Sequence, residues 1–184
     1  EDPSCVIYLH GNASCQLEGT FLIPIFVPVG VSVLCLDMCG CGNSEGEFIS
    51  LGFFERDDVV SAIAFMRAHF GVQKVALWGR SMGAATSIFA IADNPSVACA
   101  IVDSGFFSLE DVIKGLGSKF GVPGLFTSAA IKILVGKIQD QAGFSIYDVA
   151  PGKYLSQCHV PVIFIHGKED DFINKSQSER MFEG

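Results

Sequence analysis

At 184 residues the chain is the size of one domain, and 49% hydrophobic residues with a mean hydropathy of +0.43 supply ample material for a core enclosed on both sides, which excludes a linker or a disordered tail. A formal net charge of −8 with only 12 Lys and Arg argues against nucleic acid as a partner, and against an anionic membrane as the main one, leaving room for peripheral membrane contact at most. No apolar run reaches the roughly 18 residues that cross a bilayer and no basic-then-apolar leader opens the chain, so the sequence reads as a soluble, cytoplasmic protein without a transmembrane segment.

The seven cysteines are odd in number, several fall inside apolar runs (Cys5, Cys35, Cys99), and none has Cys-x-x-Cys spacing with histidines. They are expected as buried free thiols in a reducing compartment, with no zinc or other metal site and no cofactor.

Cys5 to Leu9 is a first apolar stretch of strand length, broken by a turn at His10-Gly11-Asn12-Ala13. Gln16 to Phe26 has helical apolar spacing that Pro24 should bend or end, with Gly30 as the stop. Val31 to Leu36 is a second strand, followed by a loop from Asp37 to Gly46. That loop invites a nucleotide reading, yet Gly40, Gly42 and Gly46 are spaced one residue too far for the dinucleotide fingerprint, and the acidic residue precedes them. Glu55 to Phe70 places Val59, Ile63, Met66 and Phe70 on one helical face, with Asp57 and Asp58 in the first turn where the helix dipole favours them.

Lys74 to Ala92 is the most informative stretch. A short apolar strand runs into Gly79-Arg80-Ser81-Met82-Gly83 and then into a small-residue helix, the pattern of a nucleophile elbow. A serine hydroxyl needs to stand clear of the sheet and to face backbone donors, and a sharp strand-to-helix turn supplies both. The glycines allow strand and helix to approach while Ser81 sits strained at the tip, and the Met82 N–H, in the first turn of the helix, points where an oxyanion would form. The plainer reading is a buried serine in a Gly-rich turn.

Asp93-Asn94-Pro95 ends that helix before a fourth strand, Ala98 to Val102. Strands alternating with helices imply an α/β fold with a mostly parallel sheet covered on both faces. Residues 105–150 are apolar, helical in places and too long for an ordinary connection, so they are expected to form a helical cap over a pocket within the single domain 1–184; a pair of packing helices is the alternative. Val160 to Ile165 is the fifth strand and leads into His166-Gly167-Lys168-Glu169-Asp170-Asp171-Phe172-Ile173.

Together, HGN after the first strand, DMCGCGNSEG after the second, GRSMG after the third and HGKEDDFI after the fifth resemble the α/β-hydrolase superfamily, nearest its serine-aminopeptidase-like branch, over nearly the whole chain. The resemblance implies a three-layer core with strand order second, first, third, fourth, fifth, and a site where the order reverses, between the first and third strands. It implies Ser81 as nucleophile, the backbone N–H groups of Asn12 and Met82 as oxyanion hole and Asp170 as triad acid, with Asp103 as the competing acid and Asp171 as a solvated neighbour. His10 and His166 would shape their loops.

This sequence departs from the pattern in two places. The family's histidine follows one more strand after the acid, about 14 residues beyond which this sequence ends, and two further strands belong before Glu1, so the chain reads as a hydrolase core trimmed at both ends. His69, on a surface helix, and His159, at the far end of the fifth strand, do not supply the base. The expected function is therefore a serine hydrolase (esterase, lipase, thioesterase or serine peptidase type) acting on ester, thioester or amide bonds of a small-molecule or peptide acyl substrate of apolar character. The 184 residues alone are expected to be inactive for want of the base. A catalytically inactive hydrolase-like binding or scaffold protein is the alternative, and a flavodoxin-like nucleotide binder a third reading with the same strand order.

Overall fold

The computed structural model describes residues 2–94 and 96–183. Five parallel strands, β1 (Ser4–Leu9), β2 (Val31–Leu36), β3 (Lys74–Arg80), β4 (Cys99–Asp103) and β5 (Val162–Ile165), form one sheet in the order β2-β1-β3-β4-β5. The order reverses between β1 and β3, and Leu9 at the end of β1 lies beside Gly79 of the elbow.

The alternation of each strand sorts its side chains onto two faces. Cys5, Ile7 and Leu9 of β1 and Val75 and Leu77 of β3 point to one face, where they meet Val59, Ile63 and Met66 of α2 (Glu55–Phe70) and Met82 and Ile91 of α3 (Met82–Asp93). On the other face Val6 and Tyr8 pack with Leu22, Phe26 and Trp78. Each fully buried Ile or Leu here contributes about 1.5–3 kcal/mol. Helix α3 is buried along its whole first ten residues, which its Gly, Ala and Ser content permits at so close a distance to the sheet. Pro95, expected to end α3, lies outside the described residues; Asn94 caps the helix in an extended conformation.

Two expected elements differ in detail. Gln16 to Phe26 is no continuous helix: a tight 3₁₀ stretch, Gln16–Leu22, passes into the four-residue α1 (Ile23–Phe26) and another 3₁₀ turn that ends at Gly30 with φ +80°. Gly19 is pressed so closely on β1 that a Cβ there would fall 2.5 Å from the Tyr8 ring, and Pro24 and Pro28 remove the amides a longer helix would need. In α2 the expected boundaries hold, but Phe70 is 62% exposed. Gly71, at φ +64°, reverses the backbone just after it and Val72 takes the buried place instead.

Residues 105–150 hold α4 (Leu109–Lys119), capped by the Ser108 hydroxyl accepting from the Asp111 N–H, and α5 (Gly124–Ala142), which packs against α4. A 3₁₀ turn, Pro151–Gln157, leads to β5, and α6 (Ser176–Glu183) closes the described chain. All seven cysteines are free thiols, and burial pushes Cys5 and Cys158 up to about 11, so both stay protonated at neutral pH. Among the described residues no helix is long and apolar enough to cross a membrane.

Candidate active site

Ser81 stands between β3 and α3 at φ +53° and ψ −110°, a conformation an L-residue adopts only when its surroundings force it. The surroundings are explicit. A Cβ on Gly79 would lie 2.0 Å from the Gly83 carbonyl oxygen, and one on Gly83 would lie 2.0 Å from that of Leu9, so neither position accepts a side chain. The Ser81 N–H donates to the Asp103 carbonyl at 2.8 Å, and the Ser81 carbonyl accepts the first helical bond of α3 from Ala85 at 3.1 Å. Met82 N–H opens α3, where helical geometry supplies no internal acceptor and the dipole is positive.

Of the four non-glycine residues with positive φ among the described residues, Ser81 is one and the other three stand around it: Ala13 follows Asn12, and Leu51 and Ser104 line cavities that Ser81 also lines. Backbone strain gathered in this way marks a site whose geometry is imposed by the fold.

The loop after β1 is held from within. His10 is fully buried; its Nδ1 lies 2.8 Å from the Gly11 carbonyl oxygen and its Nε2 accepts the Met38 N–H at 3.3 Å. A carbonyl can only accept and an amide N–H only donate, so Nδ1 carries the proton and the ring is neutral. The Gly11 carbonyl shares a peptide plane with the Asn12 N–H, and in a trans peptide the two point in opposite directions. With the carbonyl tied to the buried His10, the Asn12 N–H faces away from it, and Asn12 lines both cavities at Ser81.

Those cavities differ in character. One, about 300 Å³, is the more polar of the two and is bounded by Gly11, Asn12, Arg80, Ser81, Ser104 and Asp170, with Phe172 and Ile173 completing its wall. The other, about 340 Å³, runs from Ser81 and Met82 under α4 and α5 and is lined by Leu51, Phe106, Val112, Leu116, Leu134 and Ile138 among others.

Asp170 reaches the polar cavity from the loop after β5. Its Oδ1 accepts from the N–H groups of Phe172 at 2.9 Å and Ile173 at 2.8 Å, which leaves Oδ2 as the available acceptor, 3.5 Å from His166 Nε2. His166 is occupied: Nε2–H donates to the Ile173 carbonyl at 2.8 Å and Nδ1 accepts from the Ser178 hydroxyl at 2.6 Å. Asp171 is 94% exposed and pairs with Lys119 at 3.2 Å. Asp103 lines neither cavity, and its Oδ1 accepts from the adjoining Ser104 hydroxyl at 2.9 Å. His69 lies exposed on α2 with its ring stacked on Phe65, and His159 precedes β5 at the opposite end of the sheet from Ser81.

The structure thus brings Ser81, Asn12, Met82 and Asp170 to one end of the sheet, and brings no histidine with an uncommitted ring nitrogen to them among the described residues. A hydroxyl in this setting can be a nucleophile toward a carbonyl carbon, with two backbone N–H groups available to the resulting oxyanion. Sequence reading missed Ser104, whose positive φ has no signature in composition, and Glu18, whose carboxylate sits behind the Gly11 loop within hydrogen-bond reach of Gly11, Tyr8 and Arg80.

Comparison with known proteins agrees with this geometry. The chain is 28% identical over 189 residues to the uncharacterized protein YqkD of Bacillus subtilis, covering 100% of this chain and 60% of that one. It is 26% identical over 183 residues to the uncharacterized protein YfhR of Escherichia coli K12, covering 96% and 56%; the chain therefore spans little more than half the length of these relatives. Among solved structures, the Pyrococcus furiosus esterase Pf2001 superposes with a TM-score of 0.74 at 20% identity, over 99% of this chain and 68% of that one. Est1E from Butyrivibrio proteoclasticus, with ferulic acid bound, superposes with a TM-score of 0.71 at 15% identity, over 99% and 76%. The sequence model of the family described as serine aminopeptidase, S33, matches residues 3–139, well over half of the chain, and the chain belongs to that family of α/β hydrolases.

Proposed function

We propose that this chain carries the acyl-transfer centre of a serine hydrolase in which Ser81 attacks the carbonyl of an apolar ester. The observation that supports this most is the strained Ser81 at φ +53°, presented where a polar and an apolar cavity meet. The acyl chain lies in the apolar cavity, under residues 105–150 acting as a cap, and the leaving group exits through the polar one. As the Ser81 oxygen bonds to the carbonyl carbon, its proton passes to a base and the carbonyl oxygen takes its charge against the Asn12 and Met82 N–H groups. The leaving alcohol receives the proton, and water then cleaves the acyl-Ser81 ester by the same steps.

Asp170, which lines the polar cavity and whose Oδ2 takes neither of the two loop N–H groups bound by Oδ1, orients the base. The base is a histidine outside residues 1–184, because both ring nitrogens of His10 and His166 are committed and His69 and His159 lie elsewhere. The 184 residues alone therefore retain only binding and the residual catalysis of an oxyanion hole, roughly 10³–10⁴ over water. Thioesters and amides fit the same chemistry; esters come first because Pf2001, which this fold resembles, is an esterase. Seven free thiols suit the cytoplasm.

The test is hydrolysis of p-nitrophenyl butyrate by the full-length protein and its Ser81→Ala variant. Loss of several orders of magnitude in kcat is expected. No activity in the wild type would favour the inactive binding or scaffold protein instead, and full activity in the variant would remove Ser81 as the nucleophile.

A further inference from the structure

Beside the reaction centre the Glu18 carboxylate, which lines neither cavity, joins three segments. Its Oε1 accepts from the Tyr8 hydroxyl of β1 at 2.9 Å and from Arg80 Nη1 at 2.6 Å, and its Oε2 accepts from the Gly11 N–H at 3.2 Å. The glutamate side chain is 15% exposed, whereas the arginine is 54% exposed. A pair between two exposed side chains stabilises little, but a carboxylate largely enclosed by three donors is a fixed anchor.

What it anchors is the immediate frame of the reaction. Arg80 directly precedes Ser81. Gly11 directly precedes Asn12, and a Cβ on Gly11 would lie 3.8 Å from the Glu18 carboxylate, from the Arg80 carbonyl oxygen and from the Ser81 Cβ. Two successive peptide planes of this loop are thereby held. Glu18 takes the N–H of the first, and His10 takes the carbonyl of the second, which carries the Asn12 N–H. Glu18 lines neither cavity, so it can act on substrate only through these neighbours.

We propose that Glu18 is a positioning residue: its ionised carboxylate locks Gly11 to Arg80 and so holds the Asn12 N–H in register with Ser81. This rests on the acyl-transfer reading above. The charged groups facing Glu18 are Arg80 beside it, with the Tyr8 phenol and, beyond them, Asp103 acting on the same pair. Burial by itself would raise the Glu18 carboxyl, but hydrogen bonds from Ser14, Arg80, Tyr8 and the Gly11 N–H outweigh it and hold the group below its ordinary value. A depressed carboxyl keeps the clamp closed above that value and releases it as the pH falls through the lowered one.

Glu18→Gln is nearly isosteric, yet its amide turns an N–H toward either the Gly11 N–H or the Arg80 guanidinium, so one arm of the clamp must open. The experiment measures kcat and KM for p-nitrophenyl butyrate against pH in the full-length protein, together with the rate of fluorophosphonate labelling and the urea midpoint. Glu18→Gln is expected to lower kcat and the labelling rate about 10- to 100-fold, below the full loss of an oxyanion donor, with KM within about threefold. Arg80→Met is expected to move the acid limb of kcat to higher pH, because Glu18 then protonates more readily, and that movement should vanish in the Arg80→Met, Glu18→Gln double variant. Wild-type kcat and labelling in a folded Glu18→Gln, or an acid-limb shift that persists without Glu18, would overturn the inference. Should Glu18→Gln not fold, the Arg80→Met profile alone decides: an unmoved acid limb refutes the role. Activity surviving in Ser81→Ala would instead refute the acyl-transfer reading, so the two failures are separable.

Discussion

The Ser81 N–H donates to the carbonyl of Asp103 at 2.8 Å, so the last residue of β4 fixes the Ser81 backbone while its carboxylate turns to the Ser104 hydroxyl beside it. Asp103 therefore touches Ser81 through its main chain, which any residue provides, whereas Asp170 is the carboxylate residue that lines the polar cavity with Ser81. If the proposed triad operates in the full-length protein, Asp170→Asn should lower kcat by about 10⁴, because the base imidazole would take the wrong tautomer. Asp103→Asn should cost less than about tenfold. Steady-state kinetics of the two variants check this, and equal losses would reassign the acid.

His10 holds the carbonyl of the Gly11–Asn12 peptide from the buried side. Replacing it by Ala frees that plane to turn and leaves the Met38 N–H without its acceptor, a buried donor that costs about 1–3 kcal/mol. His10→Ala should lower both kcat, by about 10²-fold, and the urea midpoint. An unchanged kcat in the folded variant would show that the Asn12 N–H is not an oxyanion donor.

Gly83 makes a harder test of the elbow. Its α-carbon passes so near β1 that one added methyl group would meet the Leu9 carbonyl oxygen at 2.0 Å, with backbone on both sides and no flexible side chain to yield. Gly83→Ala should destabilise the fold by more than about 3 kcal/mol, at the upper end of overpacking costs, and abolish activity. Thermal unfolding followed by circular dichroism reads the first effect directly.

The apolar cavity predicts an acyl-length dependence. Each methylene buried among Leu116, Leu134 and Ile138 is worth about 0.8 kcal/mol, so kcat/KM for p-nitrophenyl esters should rise about fourfold per added CH₂ until the roughly 340 Å³ is filled. Ile138→Trp should move the optimum to shorter chains without changing hydrolysis of the acetate. A flat series, or no effect of the tryptophan, would place the acyl group elsewhere.

What the sequence made legible was what repeats or punctuates. The continuous apolar runs became β1 to β5, the Val59, Ile63, Met66 spacing became the buried face of α2, and the two glycines around Ser81 announced the elbow. Phe70 continued the same spacing, but Gly71 ended the helix beneath it, and a periodic pattern carries no information on where the next residue will cover the sheet. The 3₁₀ course of Gln16–Leu22 followed from the pressure of Tyr8 on Gly19, a contact between elements that pair only in three dimensions. Glu18 was silent for the same reason: its three partners come from β1, the loop after it and the end of β3. That Asp170 lines a cavity with Ser81 was expected from its motif, while the two backbone donors that its Oδ1 accepts were not legible.

The central claim is that Ser81 is an activated nucleophile, and covalent trapping tests it most directly. The full-length protein is treated with a fluorophosphonate, digested, and the adduct located by mass spectrometry. A single phosphonyl group on the peptide containing Ser81, absent from Ser81→Ala, is the expected result. An adduct on another residue, or labelling that continues unchanged in Ser81→Ala, would contradict it.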